Sequence, residues 1–354
     1  MPQDILEAAD QGDEFRNDAA RRPLRVAVSG CGRLLEHGYL PAIARMPAIQ
    51  LVGVADPHRG RRNRIADLAA DQTGRRPRAF ASDGLLLDAL RIDAMVIASP
   101  AAGHVASATA AAKAAVPVLV EKPPAEDLDG ARRLAELPSP VWLGFNRRFG
   151  PGRDLVSQIP ADGFLHVDLE LRYRRSSWRA YTVCDEALLD LGPHMIDLGL
   201  MLTRSEPIAV AAPRIEPDRV ELVMQTTRAA VRIHGFADRA HRESITVRNG
   251  ALRRIAMARA GGLGGHLQRL TRHPHPLVAS LIRQLDQLRA AVRGEPTSGL
   301  ASAACGVPVM VAIEAARESG RRGGVVVPLH GEALGWRSSH PGSAQDDVRH
   351  AVAA

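Results

Sequence analysis

An apolar, strand-like run ends in a carboxylate, an ammonium and two prolines at Val118-Leu119-Val120-Glu121-Lys122-Pro123-Pro124. The chain has 46 lysines and arginines, and only Lys113 and Lys122 are lysines. An arginine stays protonated at any useful pH, whereas a partly buried ammonium can give and take a proton. We therefore interpret Lys122 as a candidate acid or base. The alternative is a surface lysine at a strand end.

A histidine lies between two aspartates in Asp190-Leu191-Gly192-Pro193-His194-Met195-Ile196-Asp197. Gly192 and Pro193 are typical of a helix start. They predict His194 in the first turn, where the positive end of the helix dipole favours a neutral imidazole. One aspartate could then orient the ring while the other reaches a substrate. The alternative is a core histidine beside two capping aspartates.

Gly30-Cys31-Gly32 follows the strand-like residues 24–28. The first glycine permits a tight turn, and the second lets a pyrophosphate approach the backbone at a helix N-terminus. Leu35 stands where this dinucleotide fingerprint has its third glycine. Asp56, at the end of the next strand, is placed to bind the adenosine ribose hydroxyls, with a helix cap as the alternative.

The choice between NAD and NADP stays open at this point. Arg59, Arg61 and Arg62 could accept a 2′-phosphate, but an ionised Asp56 would repel it, so NAD is slightly favoured. The residues assigned to the cofactor on this side are Gly30, Gly32, Arg33, Leu34, Asp56 and Arg59.

Strands alternate with helices from residue 24 to residue 145, which predicts an α/β domain with a parallel, doubly wound sheet. The predicted helices span 58–71, 82–91, 103–115 and 126–137. After Gly163 the pattern changes to strands at 164–173, 207–213, 219–226, 230–236 and 243–248, with a hairpin turn at Asn249-Gly250. Helices follow at 277–292 and 300–318, and a last strand at 325–329. This second part predicts an open, mostly antiparallel sheet.

Four segments are therefore expected: a disordered leader (1–22), a Rossmann domain (23–146), a substrate-binding and oligomerisation domain (147–329) and a disordered tail (330–354). The exposed face of the second sheet could pair with another subunit, and a non-polar face would indicate at least a dimer.

Composition argues against several classes of protein. No apolar run reaches the ~18–20 residues of a membrane span, and the N-terminus lacks the apolar region of a secretory signal. Three scattered cysteines, Cys31, Cys184 and Cys305, favour reduced thiols in the cytoplasm. The net charge of +7 comes from dispersed arginines with only 3% aromatic residues, which argues against nucleic-acid binding. No ligand cluster has zinc spacing, and His273 and His275 are interpreted as loop residues.

Taken together, the motifs resemble the glucose-fructose oxidoreductase, inositol dehydrogenase and rhizopine-catabolism family, written Gfo/Idh/MocA, over about residues 24–329. The resemblance rests on their order and spacing: Gly30 and Gly32 with Leu40-Pro41-Ala42, Ala55-Asp56-Pro57, Ser99-Pro100 with His104, Glu121-Lys122-Pro123, Gly144-Phe145-Asn146-Arg147-Arg148-Phe149, and Asp190-x-Gly192-x-His194-x-x-Asp197.

The resemblance implies hydride transfer between NAD or NADP and a carbinol or carbonyl carbon of a sugar, amino sugar or cyclitol, by a homodimer or homotetramer. Lys122 matches the lysine that hydrogen-bonds the reacting oxygen, His194 the acid/base histidine, and Asp190 the carboxylate that holds substrate. The positions that match the nicotinamide side are Ser99, Pro100, His104, Glu121, Lys122 and Asn146.

Two departures from the family pattern have expected consequences. Leu35 should push the first helix outward and change cofactor affinity. Cys184-Asp185-Glu186 replaces a run of glycines, and we hypothesise that Asp185 or Glu186 recognises the ammonium of an amino sugar or aminocyclitol. The alternative is that both are solvated loop residues.

Two other functions remain open beside the dehydrogenase. One is a redox-neutral family member, a glycosidase or epimerase with tightly held NAD. The other is a catalytically inactive nucleotide-binding scaffold or regulator.

Overall fold

The computed structural model describes residues 22–175, 186–259 and 274–329, which form two seven-stranded sheets. The first sheet has the order β13-β6-β5-β4-β1-β2-β3, and only the β13 edge pairs antiparallel. This arrangement confirms the predicted doubly wound parallel sheet. Its strands are β1 (Leu24–Ser29), β2 (Ile49–Ala55), β3 (Arg78–Phe80), β4 (Ala94–Ile97), β5 (Val118–Val120), β6 (Val141–Leu143) and β13 (Ala301–Ser302).

The helices between these strands start and end at identifiable capping residues. The side chains of Ser82 and Asp127 accept hydrogen bonds from backbone N–H groups three residues on, and Gly74 ends a helix with φ of 73°. A π-helical turn, Leu35–Tyr39, continues into α1 (Leu40–Ile43). The four predicted helices are confirmed, with ends shifted by a few residues, as α2 (Arg59–Thr73), α3 (Asp83–Ala89), α4 (His104–Lys113) and α5 (Leu128–Ala135).

The second sheet has the order β12-β11-β7-β10-β9-β8-β14. Its β7 and β10 pair parallel and its other neighbours antiparallel, which confirms the mostly antiparallel sheet and the Asn249-Gly250 hairpin. The prediction omitted β12 and made the last strand too long. The strands are β7 (Leu165–Arg174), β8 (Pro207–Ile215), β9 (Arg219–Thr226), β10 (Ala229–Phe236), β11 (Asp238–Asn249), β12 (Leu252–Arg259) and β14 (Val327–Pro328).

The two faces of the second sheet differ in polarity. Side chains alternate along β7, so that Leu169 and Leu171 are buried under helix α6 (Ala187–Thr203), with α8 (Gly306–Arg321) beside it. The opposite face carries ion pairs between strands, such as Arg248 with Asp168 at 2.6 Å. This open face is therefore mostly charged, with Ile255 and Met257 as exposed apolar residues on β12. Its predicted role in forming a dimer or tetramer stays a prediction.

One helix from the second part of the chain packs on the first sheet. The predicted amphipathic helix at 277–292 is confirmed as α7 (Pro276–Val292), and its apolar side joins the same buried cluster as Leu35 and Tyr39. A Cβ placed on Gly38 would lie 2.8 Å from the Leu281 side chain, so helix and π-helical turn are in close contact. The expected domain division after residue 146 stays a prediction, since α7 and β13 lie with the first domain. Of the expected leader (1–22), residues 1–21 lie outside the described residues. The whole expected tail (330–354) lies outside them as well.

Candidate active site

Lys122 follows β5 at the carboxyl edge of the first sheet, where it meets the second domain. Its Nζ donates hydrogen bonds of 2.8 Å both to the Asp190 carboxylate Oδ1 and to the Asp190 backbone carbonyl. The Lys122 and Asp190 side chains keep only 17% and 16% of their surface exposed. The structure thus brings together two of the predicted catalytic residues, 68 positions apart in the chain.

Arg175 is a third member of this group, and the sequence reasoning missed it. Its Nε donates to the other oxygen of the Asp190 carboxylate at 3.2 Å, and another guanidinium nitrogen donates to the Pro217 carbonyl. Arg175 follows the last residue of β7, on the side that faces α6. In a chain with 44 arginines, nothing in its sequence context distinguishes it.

His194 does not lie in the first turn of a helix, and that prediction was wrong. Helix α6 begins at Ala187, five residues before Gly192, and contains Pro193 in its interior. The missing N–H of Pro193 is tolerated because Leu188 and Leu191 on the same helix are fully buried in the core. The helix dipole acts within the first turn, so it does not account for the state of this ring.

The His194 ring is nevertheless held neutral. Burial holds its pKa well below the usual 6.5, and the positive charges of Lys122 and Arg147 lower the pKa further. The ring nitrogen Nδ1 is buried and has no hydrogen-bond partner among the described residues. A buried neutral imidazole with a free nitrogen can bind a hydroxyl group or accept its proton.

The prediction that an aspartate orients His194 was wrong as well. Asp190 is bound to Lys122 and Arg175, and Asp197 forms a two-point pair with Arg148, at 2.8 and 2.6 Å. Burial raises the pKa of Asp197, although the Arg148 guanidinium opposes that shift. Arg148 lies in the 3-10 turn Asn146–Phe149, so this pair ties the end of the first domain to α6.

A second ion pair lies on the inner wall of the site. Arg147 donates to the Glu243 carboxylate at 2.9 Å, with 11% and 4% of the two side chains exposed. Burial, then the charges of Arg147 and His275, lower the pKa of His241 to about 3. The sequence reasoning quoted Arg147 within a family motif but gave it no role. Its charge adds to burial, the larger cause, in lowering the pKa of His194, His241 and His275.

The predicted dinucleotide turn has the geometry that a pyrophosphate needs. Gly30 has φ of 92°, and a Cβ there would come within 2.5 Å of the Ser99 backbone nitrogen. Gly32, in contrast, has no atom within 4 Å of the position of a Cβ. A tight turn that only glycine can adopt therefore precedes an open surface at the start of a helix, as expected for a dinucleotide site.

Asp56 supports this turn directly. One oxygen of its carboxylate accepts the Cys31 N–H at 3.0 Å and the other accepts the His58 N–H at 2.7 Å. A carboxylate has about four acceptor sites, so capacity remains for ribose hydroxyls. Arg62 is bonded to the carbonyls of Asp56 and Pro57, whereas Arg59 is exposed at the start of α2.

Arg33 and Leu34 have contacts within the protein. Arg33 donates to the Glu36 carboxylate at 2.6 Å, and Leu34 packs against the buried cluster of the first domain. Leu35 is fully buried at the beginning of the π-helical turn. Their predicted effects on the cofactor stay predictions.

Glu121 lies beneath the edge of the site with a hydrogen-bond partner that the sequence did not predict. The Tyr39 hydroxyl donates to the Glu121 carboxylate at 2.5 Å, and the other carboxylate oxygen accepts the Lys122 backbone N–H at 3.1 Å. Burial raises the pKa of Glu121. It also raises the pKa of Tyr39 well above the usual value. Gln284 on α7 also bonds the Tyr39 hydroxyl.

The remaining predicted nicotinamide-side residues lie around the loop after β4. The His104 ring lies between the carbonyl of Ser99, at 2.8 Å, and that of Pro123, at 3.0 Å, and so joins the two loops. Pro100 is exposed beside them. The Ser99 hydroxyl and the Asn146 side-chain carbonyl are buried without a hydrogen-bond partner among the described residues.

Glu186, predicted to bind substrate, faces another direction. It pairs with Arg317 of α8 at 3.3 Å and lines a surface cavity that also includes Arg214 and Arg321. Its carboxylate is therefore already matched by a cation of the protein. Asp185 and Cys184 lie outside the described residues, and the role of Asp185 stays a prediction.

The described residues, 22–175, 186–259 and 274–329, contain no group of three or more histidine, cysteine, aspartate or glutamate side chains placed to hold a metal ion. None of their helices combines the length and the apolar character needed to cross a bilayer.

Residues 24–139 match the model of a family described as an oxidoreductase family with an NAD-binding Rossmann fold. The chain is 30% identical over 190 residues to the oxidoreductase YceM of Salmonella typhimurium, covering 52% of this chain and 58% of that protein. It is also 30% identical over 194 residues to the UDP-N-acetylglucosamine 3-dehydrogenase of Acidithiobacillus ferrooxidans. That match covers 53% of this chain and 57% of that protein. These matches span little more than half the length of either relative.

Solved structures share the whole architecture. The myo-inositol dehydrogenase of Lactobacillus casei, solved with NAD(H) and myo-inositol, superposes with a TM-score of 0.69 at 18% sequence identity. The superposition covers 90% of this chain and 98% of the chain of that enzyme. The similarity confirms the predicted combination of a Rossmann domain and a second, mostly antiparallel domain. The family match confirms the predicted NAD-binding class of the first domain.

Proposed function

We propose that this chain is an NAD-dependent dehydrogenase or reductase of a sugar-like or cyclitol-like alcohol. The proposal places it in the Gfo/Idh/MocA oxidoreductase family, whose model matches residues 24–139. The observation that carries the proposal is the contact of Lys122 with Asp190 at the carboxyl edge of the Rossmann sheet. Ligands bind at that edge in open α/β sheets.

The cofactor would lie on the surface built by Gly30, Gly32 and Asp56, with its nicotinamide towards Ser99 and Asn146. The open space over Gly32 and the buried, unbonded oxygens of Ser99 and Asn146 support this placement. The Asp56 carboxylate favours NAD over NADP because it would repel a 2′-phosphate. Bound NAD supplies a hydride acceptor at nicotinamide C4.

In the oxidising direction NAD would accept the hydride of the substrate carbinol, and the protein would take its hydroxyl proton. Lys122 donates a hydrogen bond to the reacting oxygen, where negative charge develops as the proton leaves. His194 takes the proton, because its lowered pKa keeps the ring neutral and its Nδ1 has no hydrogen-bond partner among the described residues. Asp190 positions Lys122 and limits the free rotation of its side chain.

The test compares Lys122→Met with Lys113→Met, since Lys113 is the other lysine of the chain and lies exposed on α4. Lys122→Met should lower kcat for NADH formation by about 10²–10⁴-fold and leave NAD binding, measured by calorimetry, unchanged. Lys113→Met should be neutral in both assays. A Lys122→Met enzyme with full turnover would refute the assignment.

The pH profile adds a second readout for His194. A base is active in its neutral form, so a lowered pKa keeps His194 competent as pH falls through 6.5. A plot of kcat for oxidation against pH should therefore show no decrease centred near pH 6.5.

Redox-neutral chemistry would instead give product without net NADH. A scaffold would bind NAD without any turnover.

A further inference from the structure

We propose that the substrate carries a carboxylate near its reacting carbinol and that Arg175 binds this carboxylate. The inference rests on the proposed dehydrogenase function and specifies its substrate class as a sugar acid or another polyhydroxy acid.

The charge balance at the site gives the first argument. Lys122 and Arg175 are two cations that share the single Asp190 carboxylate, and the three side chains are 17%, 19% and 16% exposed. Counted over the described residues, the group therefore has one positive charge in excess, with little water to solvate it. The neighbouring carboxylates of Glu243 and Asp197 do not supply the balance, because each already pairs with its own arginine. An anionic ligand would complete the group.

The hydrogen bonds of Arg175 give the second argument. Its Nε is used by Asp190 and one terminal nitrogen by the Pro217 carbonyl. The other terminal nitrogen, Nη2, is buried and has no acceptor among the described residues. A guanidinium cannot lose its proton at working pH, so these N–H groups keep their need for an acceptor. A carboxylate oxygen of the substrate meets that need.

The start of α6 gives an independent argument. This seventeen-residue helix has Glu186 at its N-cap, and the Glu186 side chain makes no capping hydrogen bond. The Pro217 carbonyl accepts both the Ala187 N–H and an Arg175 N–H, so Arg175 lies against the first turn of the helix. The positive end of the helix dipole and the arginine therefore favour the same sign of ligand charge.

The shared aspartate also limits the distance between the two binding points. One oxygen of Asp190 bonds Lys122 and the other bonds Arg175. The reacting oxygen at Lys122 and the carboxylate at Arg175 are then separated by about the width of one carboxylate and its two hydrogen bonds. That spacing suits a carboxylate a few bonds from the carbinol. It differs from the expectation of a cationic substrate: Glu186 is already paired with Arg317, and the role of Asp185 stays a prediction.

The first experiment uses the wild-type enzyme and NAD. Uronic and aldonic acids are compared with the matching neutral sugars, with uronamides of the same shape and with sugar phosphates, by initial rates of NADH formation. We expect kcat/KM for an acid to exceed that for its neutral sugar and its amide by at least tenfold. Equal values, or a preference for the phosphate, would overturn the proposal. Because no mutation is involved, folding does not affect this comparison.

The second experiment changes Arg175 and, as its control, the exposed neighbour Arg174. Arg175→Gln should raise KM for the acid at least tenfold more than it raises KM for the neutral sugar, so that the acid preference disappears. Arg174→Gln should keep the preference. A role only in holding Asp190 would instead lower kcat for both substrates equally, and that result would contradict the proposal.

The outcomes separate the two levels of inference. Turnover of neutral polyols with NAD, without any preference for acids, would leave the dehydrogenase function standing and refute only the carboxylate site. Failure to bind NAD would refute the proposed function itself.

Discussion

The hydrogen bond between Tyr39 and Glu121 is the buried polar contact with the sharpest test. Tyr39 is fully buried, Glu121 is 5% exposed, and the hydroxyl-to-carboxylate distance is 2.5 Å. Tyr39→Phe removes only the hydroxyl and keeps the ring. The apolar packing is therefore preserved, and the change isolates one hydrogen bond to a charged acceptor.

The expected loss is about 2 kcal/mol in the free energy of unfolding. Hydrogen bonds to charged groups contribute roughly 1.5–3 kcal/mol, and a buried carboxylate oxygen without its donor stays desolvated in the folded state. Glu121 keeps one bond, from the Lys122 backbone N–H, so the loss should lie in the lower half of that range.

The pH dependence of this loss has a definite sign. Burial raises the pKa of Glu121 above its ordinary 4.5, and the hydrogen bond from Tyr39 opposes that rise. The folded protein then binds more protons at Glu121 than the unfolded chain, so its contribution to stability falls as pH rises from 4.5 through the folded pKa. Without Tyr39 the pKa rises further, and the deficit of the variant should grow with pH in that window.

Urea unfolding of the wild type, Tyr39→Phe, Glu121→Gln and the double variant, each at pH 4.5 and 7.5, measures the coupling between the two side chains. We expect a coupling free energy of about 1 kcal/mol or more at pH 7.5 and a smaller value at pH 4.5. Equal coupling at both pH values would refute the argument about charge, and zero coupling would refute the hydrogen bond.

Further predictions concern the cofactor turn and the buried pair on α6. Gly30→Ala should destabilise the protein and abolish NAD binding, because its Cβ would lie 2.5 Å from the Ser99 backbone. Gly32→Ala should keep the melting temperature and weaken only NAD binding, measured by calorimetry. Asp197→Asn should lower the free energy of unfolding in urea by about 3–5 kcal/mol, because it leaves the Arg148 guanidinium buried and unpaired. The double variant Asp197→Asn with Arg148→Met should recover part of this lost stability. Unchanged stability of Asp197→Asn, or NAD binding by Gly30→Ala, would contradict these assignments.

The periodicity of the sequence was sufficient to predict the two sheets and most helices, because alternation and amphipathic spacing report which face is buried. The same patterns say nothing about what covers that face. The apolar stripe that includes Leu281 and Leu285 predicted α7 correctly, but not that it packs beside the π-helical turn of the first domain. Only the folded structure shows which sheet a helix joins.

The candidate site was predicted in part for a related reason. Lys122 and Asp190 were found because rare residue types stood in recognisable motifs, and the structure brings them into contact. Arg175 and Tyr39 were missed because their roles depend on contacts across 15 and 82 positions, with no local signal. The error at Pro193 has another cause, since burial of α6 outweighs the local preference of proline for a helix start.

The position of α7 has a consequence for biosynthesis. The groove beside Gly38 and Tyr39 is filled by a helix that begins at residue 276. A ribosome adds roughly 5–20 residues per second, so the completed Rossmann strands wait on the order of ten seconds or more for this helix. Until then an apolar surface of the nascent first domain is uncovered. Chaperone binding to stalled nascent chains should therefore persist past residue 150 and fall once α7 has left the exit tunnel.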